Sequence, residues 1–244
     1  DFDPKKDYIE YKDRDEIDRY MCFKLNNLIA YVDDAYSNYD YHLVYNEIHR
    51  FCIMELSSKY LDVIKDRLYT FNVSHKLRRS SQSTMYDILY ALVRIISPIL
   101  VFTSQEIYSY MNTRNDKKEN ILLEKFPTEN GEYIDDELVG KWDRIFEVKE
   151  SFAKDLEEAR ARKEIGSSLD SKVTLYVKDD EYDFINENKE NIAFVAIISE
   201  IEVIKSDERK VVVEKSTGKK CPRCWTYSHE FTEEGICKKC HDNM

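Results

Sequence analysis

Four cysteines near the end of the 244-residue chain have the spacing of a metal site. Cys221 and Cys224 form one C-x2-C pair, Cys237 and Cys240 form a second, and twelve residues separate the pairs. A C-x2-C turn delivers two thiolates to one ion, and two such turns complete the tetrahedral shell that Zn2+ prefers. Because four thiolates leave no open position for water or substrate, we predict one structural zinc ion per chain.

The alternatives for these cysteines, redox-active pairs or chance spacing, carry less weight. Redox-active C-x2-C motifs normally open a helix in a thioredoxin-like fold and seldom occur in pairs. His229 and His241 lie close in sequence and could compete as ligands, but four cysteines already complete the set. The remaining cysteines, Cys22 and Cys52, fall in apolar helical patterns, which favours small buried side chains.

Aromatic and cationic side chains surround the cysteine pairs. Trp225 directly follows a cysteine and Tyr227 is two residues further on, while Lys219, Lys220 and Arg223 flank the same turn. Aromatic planes beside cations suit stacking on unpaired bases and binding of phosphates. The alternative, that the tryptophan only packs over a module too small to have its own core, fits these residues equally well.

A second basic cluster lies in the first half of the chain. It consists of Lys65, Arg67, Lys76, Arg78 and Arg79, followed by the polar Ser80, Ser81 and Gln82. Arginine side chains bind phosphates and amide side chains hydrogen-bond to base edges, so this group could contact a single-stranded RNA loop. A solvated helix surface is the alternative.

The formal net charge of −11 argues against a general nucleic-acid coat protein. The average conceals a segregation of charge, since residues 1–49 carry 12 acidic and 6 basic side chains whereas residues 50–94 carry 8 basic and 4 acidic ones. A locally basic surface can bind a polyanion while the rest stays acidic.

The sequence contains no P-loop, no G-x-G-x-x-G pattern and no nucleophile elbow, so we expect no catalytic centre within it. No stretch approaches the roughly 20 apolar residues of a membrane span, and the start lacks the features of a signal peptide. We therefore expect a cytoplasmic protein without a membrane partner. The first residue is aspartate rather than methionine, which favours a piece of a longer polypeptide.

Helical periodicity dominates the first two thirds of the chain. The first two predicted helices cover about 19–32 and 41–59, and the second continues through YLDVIKDRLYTF. A third covers about 81–101 with a kink at Pro98, and a fourth begins at a capping box over 103–106 and ends at about 111. The fifth covers about 136–165, with Gly166 as a possible cap. The stretches KVTLYVK, AIISEIEVIK and KVVVEKS then predict strands, with a short helix near 181–190.

These elements predict a mainly α fold. A helical-bundle domain is expected over residues 1–135, a linking helix with a small α+β module over 136–215, and the zinc-binding module over 216–244. Such a chain could be an RNA-binding module, a zinc-stabilised DNA-binding or repair module, or a protein-interaction adaptor.

Taken together, the residues resemble the C-terminal region of bacterial-type isoleucyl-tRNA synthetases. The stretches that carry the resemblance are YLDVIKDRLY, RRSSQST, LVRIISPILVFTSQEIY, ARARKEIGSSLDSKV and CPRCW…ICKKC. The helical stretches alone would also fit the related valyl and leucyl enzymes, whereas the four terminal cysteines indicate the isoleucyl one.

The resemblance implies that the full enzyme is a monomeric, cytoplasmic ligase that attaches isoleucine to its tRNA using ATP. Its N-terminal catalytic and editing domains are absent here, since no HIGH-like or KMSKS-like motif occurs, so this chain should bind tRNA without charging it. The anticodon stem-loop is expected against Arg78, Arg79 and Gln82, with the zinc module on the other side of the loop.

Overall fold

The computed structural model describes residues 1–244 and is mainly helical, as the sequence predicts. The α-helices are α1 Glu16–Ser37, α2 Tyr41–Arg50, α3 Lys65–Thr70, α4 Lys76–Ile96, α5 Val101–Tyr110, α6 Asp136–Ser151, α7 Ala153–Ala161, α8 Asp179–Glu187, α9 Lys189–Ala196 and α10 Lys238–Asp242. The strands are β1 Ser171–Val177, β2 Glu200–Lys205, β3 Lys210–Lys215, β4 Lys219–Lys220 and β5 Tyr227–Ser228. None of the helices is long and apolar enough to cross a membrane.

The chain divides into two compact units, residues 1–139 and 140–244. The first unit contains α1 to α5, and the second contains all the strands and the four cysteines. The finer division expected from the sequence, with boundaries after residues 135 and 215, stays a prediction.

The first unit packs around α1. All five apolar residues of the predicted stripe are buried, namely Met21, Leu25, Leu28, Ile29 and Val32. Helix α1 contacts both α2 and α4, which supply further buried apolar side chains. The spacing of three and four residues therefore identified the core face of this helix correctly.

The helix predicted over residues 41–59 begins at Tyr41 but changes its hydrogen-bonding period. From Phe51 to Leu61 the backbone is a π-helix. The Ser58 hydroxyl donates at 2.7 Å to the carbonyl of Ile53, five residues earlier. Apolar spacing reports which face is buried, and it does not distinguish a 3.6-residue turn from this wider one.

The connection between α4 and α5 differs from the prediction. Helix α4 ends at Ile96, and Pro98 lies in the following turn instead of inside a kinked helix, because proline has no N–H to continue the hydrogen-bond ladder. Helix α5 already begins at Val101. The expected capping box at 103–106 is therefore wrong, since Ser104 is a buried residue within the helix.

The second unit contains a three-stranded sheet in the order β2-β1-β3. Strand β1 is parallel to β2 and antiparallel to β3, so that Val173 lies opposite Ile201 and Val213. Helices α8 and α9 form the crossover that a parallel pair requires. The three strands are confirmed, but α9 was not predicted, and the first residues of AIISEIEVIK belong to its end and to the turn after it.

The helix predicted over residues 136–165 is two helices, interrupted at the buried Phe152, and the second ends earlier than expected. Lys163 adopts a left-handed conformation with φ 61°, and the N–H of Glu164 donates to the carbonyl of Ala159, which is a Schellman ending. Gly166 is therefore not the cap. Its N–H donates to Asp170 Oδ2 at 3.0 Å, and a Cβ there would lie 2.8 Å from the same oxygen.

Replacing the exposed Lys163 by glycine should stabilise the second unit. A left-handed non-glycine residue costs about 1–2 kcal/mol, and glycine's extra chain entropy costs about 0.5–1 kcal/mol. The expected net gain is about 0.5–1 kcal/mol in the free energy of unfolding, measured by urea titration. Lys163→Ala is the matched control and should give no gain, because alanine has the same left-handed strain. A glycine variant no more stable than the alanine variant would contradict the left-handed backbone conformation assigned to Lys163.

Candidate metal centre and nucleic-acid interface

The four predicted cysteine ligands meet at one point of the second unit. Their sulfur atoms all lie within 4.8 Å of one another. The Sγ atoms of Cys221 and Cys240 are 3.9 Å apart, and those of Cys224 and Cys237 are 3.6 Å apart. Four sulfurs about 2.3 Å from a tetrahedral ion would be separated by about 3.8 Å. The cluster can therefore hold a metal ion.

Short backbone elements bring these cysteines together. Cys221 follows β4, and its N–H donates to the carbonyl of Thr226 at 2.9 Å while its carbonyl accepts the N–H of Trp225 at 3.0 Å. Cys237 is the N-cap of α10, and Cys240 lies within that helix. Two tight turns thus aim two sulfurs each at a common centre.

The electrostatics favour a thiolate at the first ligand. Burial alone would raise the pKa of the Cys221 thiol, but the backbone N–H groups of Cys237, Cys224 and Arg223 outweigh it and lower the pKa to about 6. Burial raises the pKa values of the Cys237 and Cys240 thiols. A metal ion must displace those protons, so binding should release protons and weaken at low pH.

The two histidines near the cluster do not belong to it. His229 Nε2 lies 3.5 Å from a carboxylate oxygen of Glu200, and His241 Nδ1 lies 3.3 Å from its neighbour Asp242. An all-sulfur donor set selects thiophilic ions, among which Zn2+ is bound tetrahedrally. The donor set therefore fits the predicted ion.

The aromatic and cationic residues beside the cluster form a joint surface. The Lys220 Nζ atom is 5.9 Å from the ring centre of Trp225 and 6.0 Å from that of Tyr227. These three residues are called the knuckle surface below. Lys219 and Arg223, the other predicted contacts, are exposed beside them.

The Trp225 side chain is presented to solvent. It is 62% exposed, and its backbone has φ 65°. A left-handed conformation is rare for a bulky residue and is retained only where neighbouring contacts enforce it. Its exposure argues against the alternative that this ring only packs over the module.

In the first unit, the structure pairs the predicted RNA contacts with carboxylates. Arg67 is only 8% exposed, and its guanidinium lies 2.9 Å from Asp15 and 3.7 Å from Asp18. Lys65 is exposed and forms an ion pair with Asp62 three residues earlier. A buried, doubly paired guanidinium cannot reach a phosphate without breaking the bundle.

The remaining three predicted contacts bind the start of the chain. Arg78 pairs with the Asp1 carboxylate at 2.5 Å, and Arg79 donates to the Asp1 carbonyl at 3.0 Å and lies 3.4 Å from the Asp7 carboxylate. Gln82 donates to Asp1 at 3.1 Å and accepts a bond from Arg79 at 2.8 Å. These side chains therefore clamp residues 1–7 onto α4.

Sequence reasoning missed these acidic partners. Residues 1–15 run along α4, where Ile9 and Asp15 donate backbone N–H bonds to Ser83 and Ser80 at 2.9 and 3.0 Å. The opposite charge balance of residues 1–49 and 50–94 was the available signal. The sequence predicts a surface for a polyanion in the basic half, whereas the structure pairs Arg67, Arg78 and Arg79 of that half with carboxylates of the acidic half.

Comparison with known protein families distinguishes among the three functions considered from the sequence, namely an RNA-binding module, a DNA-binding or repair module and a protein-interaction adaptor. The family model "Anticodon-binding domain of tRNA ligase" matches residues 18–175, well over half of the chain. The chain belongs to this anticodon-binding family. The match covers the bundle and continues to β1 of the second unit.

Individual relatives extend the match of this anticodon-binding chain to almost its full length. The isoleucine–tRNA ligase of Natranaerobius thermophilus is 38% identical over 98% of the chain, that of Caldicellulosiruptor bescii 42% over 99%, and that of Petrotoga mobilis 40% over 98%. The chain spans only 27–28% of the length of these relatives. The resemblance to isoleucyl-tRNA synthetases is thereby confirmed.

Replacing Arg79 by alanine should destabilise the first unit. The side chain is buried against Asp7, Asp1 and Gln82, so truncation leaves several of their polar groups without a partner. The expected loss is about 2–3 kcal/mol in the free energy of unfolding, measured by urea titration. Lys76→Ala, an exposed residue in the first turn of the same helix, is the control and should change it by less than about 0.5 kcal/mol. An unchanged Arg79→Ala protein would instead favour a free, RNA-facing arginine.

Proposed function

We propose that this chain is the anticodon-binding region of an isoleucine–tRNA ligase and that it binds the anticodon stem-loop of isoleucine tRNA. The observation that supports this proposal is the four-cysteine module with an exposed Trp225 beside Lys220, in a chain of the anticodon-binding family. That arrangement has the two features that single-stranded RNA requires, a stacking plane and a nearby cation.

The knuckle surface is the RNA-contacting part in this proposal. A splayed base stacks on Trp225, whose turn is already fixed and so loses little conformational entropy on binding. Lys219, Lys220, Arg223 and Tyr227 supply phosphate contacts and a second ring. In the first unit, Lys65 remains a candidate phosphate contact, while Arg67, Arg78, Arg79 and Gln82 act through the bundle that they hold together.

One zinc ion, held by Cys221, Cys224, Cys237 and Cys240, is part of the proposal. The ion would cross-link the two C-x2-C turns and would have no catalytic role, since four thiolates would fill its coordination shell. Beside the buried cysteines, the module around it has only the partly buried apolar side chains of Phe231 and Ile236 packed against the cluster. Metal binding is therefore expected to provide most of its folding energy.

In the complete ligase, we assign ATP-dependent attachment of isoleucine to catalytic domains outside these 244 residues, in a cytoplasmic, monomeric enzyme. This chain contributes recognition of the tRNA. A DNA-repair module or a protein-interaction adaptor explains the cysteine spacing equally well, but neither explains the match of residues 18–175 to tRNA-ligase anticodon-binding domains.

The purified chain should contain one equivalent of zinc by elemental analysis. Cys237→Ser should lose the metal and unfold residues 216–244, because three thiolates cannot close the shell. Far-ultraviolet circular dichroism should still report the helices of the first unit. Cys52→Ser is the control, since this cysteine lies outside the cluster, and it should retain the metal. A normally folded, metal-free C-terminal module would contradict the zinc assignment.

Trp225→Ala should weaken binding of an isoleucine-tRNA anticodon stem-loop about 5-fold to 150-fold, with the dependence on salt nearly unchanged, because stacking is worth about 1–3 kcal/mol per base. Lys220→Ala should instead flatten the salt dependence, because it removes a phosphate contact and its released counterion. Fluorescence anisotropy across a salt series measures both effects.

Phe102→Ala is the control for the loss of an exposed aromatic ring. This side chain is 91% exposed on α5 in the first unit, and its removal should leave binding unchanged. If Trp225→Ala binds as tightly as the parent while retaining zinc, stacking on this ring is ruled out.

A further inference from the structure

One serine outside the cysteine module connects that module to the sheet of the second unit. The Ser199 hydroxyl accepts the backbone N–H of Tyr227 at 2.8 Å and donates to the carbonyl of Leu169 at 2.5 Å. Tyr227 belongs to β5 and to the knuckle surface, whereas Leu169 precedes β1. A single side chain thus bridges two segments that are distant in sequence.

The adjacent Glu200 provides a second connection. Its carboxylate accepts a hydrogen bond from the hydroxyl of Ser216 and lies 3.5 Å from His229 Nε2. Ser216 is 5% exposed, its own N–H donates to the carbonyl of Asp170 at 2.8 Å, and it marks where the chain leaves β3 for the cysteine module. Ser199 and Glu200 are together called the anchor below.

The fold holds the anchor rigidly. Helix α9 is followed by Ile197 in the left-handed conformation with φ 55°, and the N–H of Ile198 donates to the carbonyl of Ala193. This ending reverses the chain sharply and brings Ser199 to the start of β2. Glu200 then pairs with Lys172 of β1 in the sheet register. The position of the anchor is therefore fixed by the helix ending and the sheet, independently of the cysteines.

The contact with Tyr227 bears directly on the knuckle surface. Tyr227 pairs with Lys220 across β4 and β5 and follows Trp225 by two residues. All three members of the surface thus move with the strand that Ser199 holds. The metal cluster sets the shape of the turn, but the cysteines make no comparable bond to the sheet, so the orientation of the turn depends on other contacts.

We propose that Ser199 and Glu200 are positioning residues that orient the knuckle surface for RNA, an inference that rests on the proposed anticodon-binding function. Neither residue needs to touch RNA. The hydroxyl of Ser199 fixes the backbone of Tyr227, and the carboxylate of Glu200 fixes the entry to the module at Ser216. Without the hydrogen bonds of the anchor, the cysteine module would keep its metal ion and its fold, but its orientation relative to the sheet would no longer be fixed.

The test uses the full 244-residue chain with zinc bound and an isoleucine-tRNA anticodon stem-loop as the probe. Ser199→Ala should raise the dissociation constant about tenfold with zinc retained, since the half-buried hydrogen bond from the Tyr227 N–H is lost. Ser199→Thr keeps the hydroxyl and should bind within about twofold of the parent. Ser206→Ala, just after the other end of β2, is the matched control and should bind like the parent.

A double-mutant cycle distinguishes orientation of the surface from general loosening of the chain. In a Trp225→Ala background, Ser199→Ala should add much less than its own tenfold effect, because the ring that it orients is already gone. Full additivity of the two losses would overturn the proposal. The proposal would also be overturned if Ser199→Ala bound RNA like the parent although amide hydrogen exchange showed that the Tyr227 N–H had lost its protection.

Failure of the proposed function has a different signature. If the parent chain itself does not bind the stem-loop above an unrelated RNA hairpin, anticodon recognition is wrong and the positioning role for RNA falls with it. If the parent binds and the Ser199 variants do not differ from it, recognition stands and only the anchor is overturned. Zinc analysis of every variant excludes metal loss as the cause of a weakened complex.

Discussion

The first unit depends on one buried carboxylate. Asp18 is fully buried, and its oxygens accept hydrogen bonds from Tyr60 and from Ser80 at 2.5 Å, with Arg67 at 3.7 Å. Burial raises the pKa of Asp18, while Arg67 and the hydroxyl donors oppose the rise. Four separate segments, α1, the π-helix, α3 and α4, thus converge on a group that is costly to bury and costly to leave without partners.

That constraint explains the chemistry of the surrounding residues. The serines at the start of α4 face inward, and Ser80, Ser81 and Ser83 are fully buried. The hydroxyls of Ser80 and Ser81 donate to Asp18, whereas that of Ser83 donates to the carbonyl of Arg79 and accepts the N–H of Ile9. Arg14 lies further along the same surface, with its guanidinium 2.7 Å from Asp87. The polar sequence RRSSQST therefore belongs to the interior of the bundle as much as to its surface.

The sequence predicted the apolar and metal-binding features well and the polar ones poorly. The stripe of α1 and the paired cysteine turns follow from local spacing alone, since helix period and ligand geometry are short-range properties. The aspartate partners of Arg67 and Arg79 are 49 residues (Asp18 to Arg67) to 78 residues (Asp1 to Arg79) away, and no local pattern specifies which carboxylate meets which guanidinium. The left-handed Lys163 just after α7 also escaped prediction, since Gly166 is the more usual type of cap residue.

The segment that α4 clamps has a consequence for biosynthesis. Its contacts join residues separated by 72 to 81 positions, so the acidic segment leaves the ribosome long before its partners on α4 do. At 5–20 residues per second, that delay is roughly 4–15 seconds. During this interval the helix α1 that follows the segment has an apolar stripe with no α4 to cover it. Folding of the first unit therefore waits for α4, and until then the stripe is open to non-native apolar contacts.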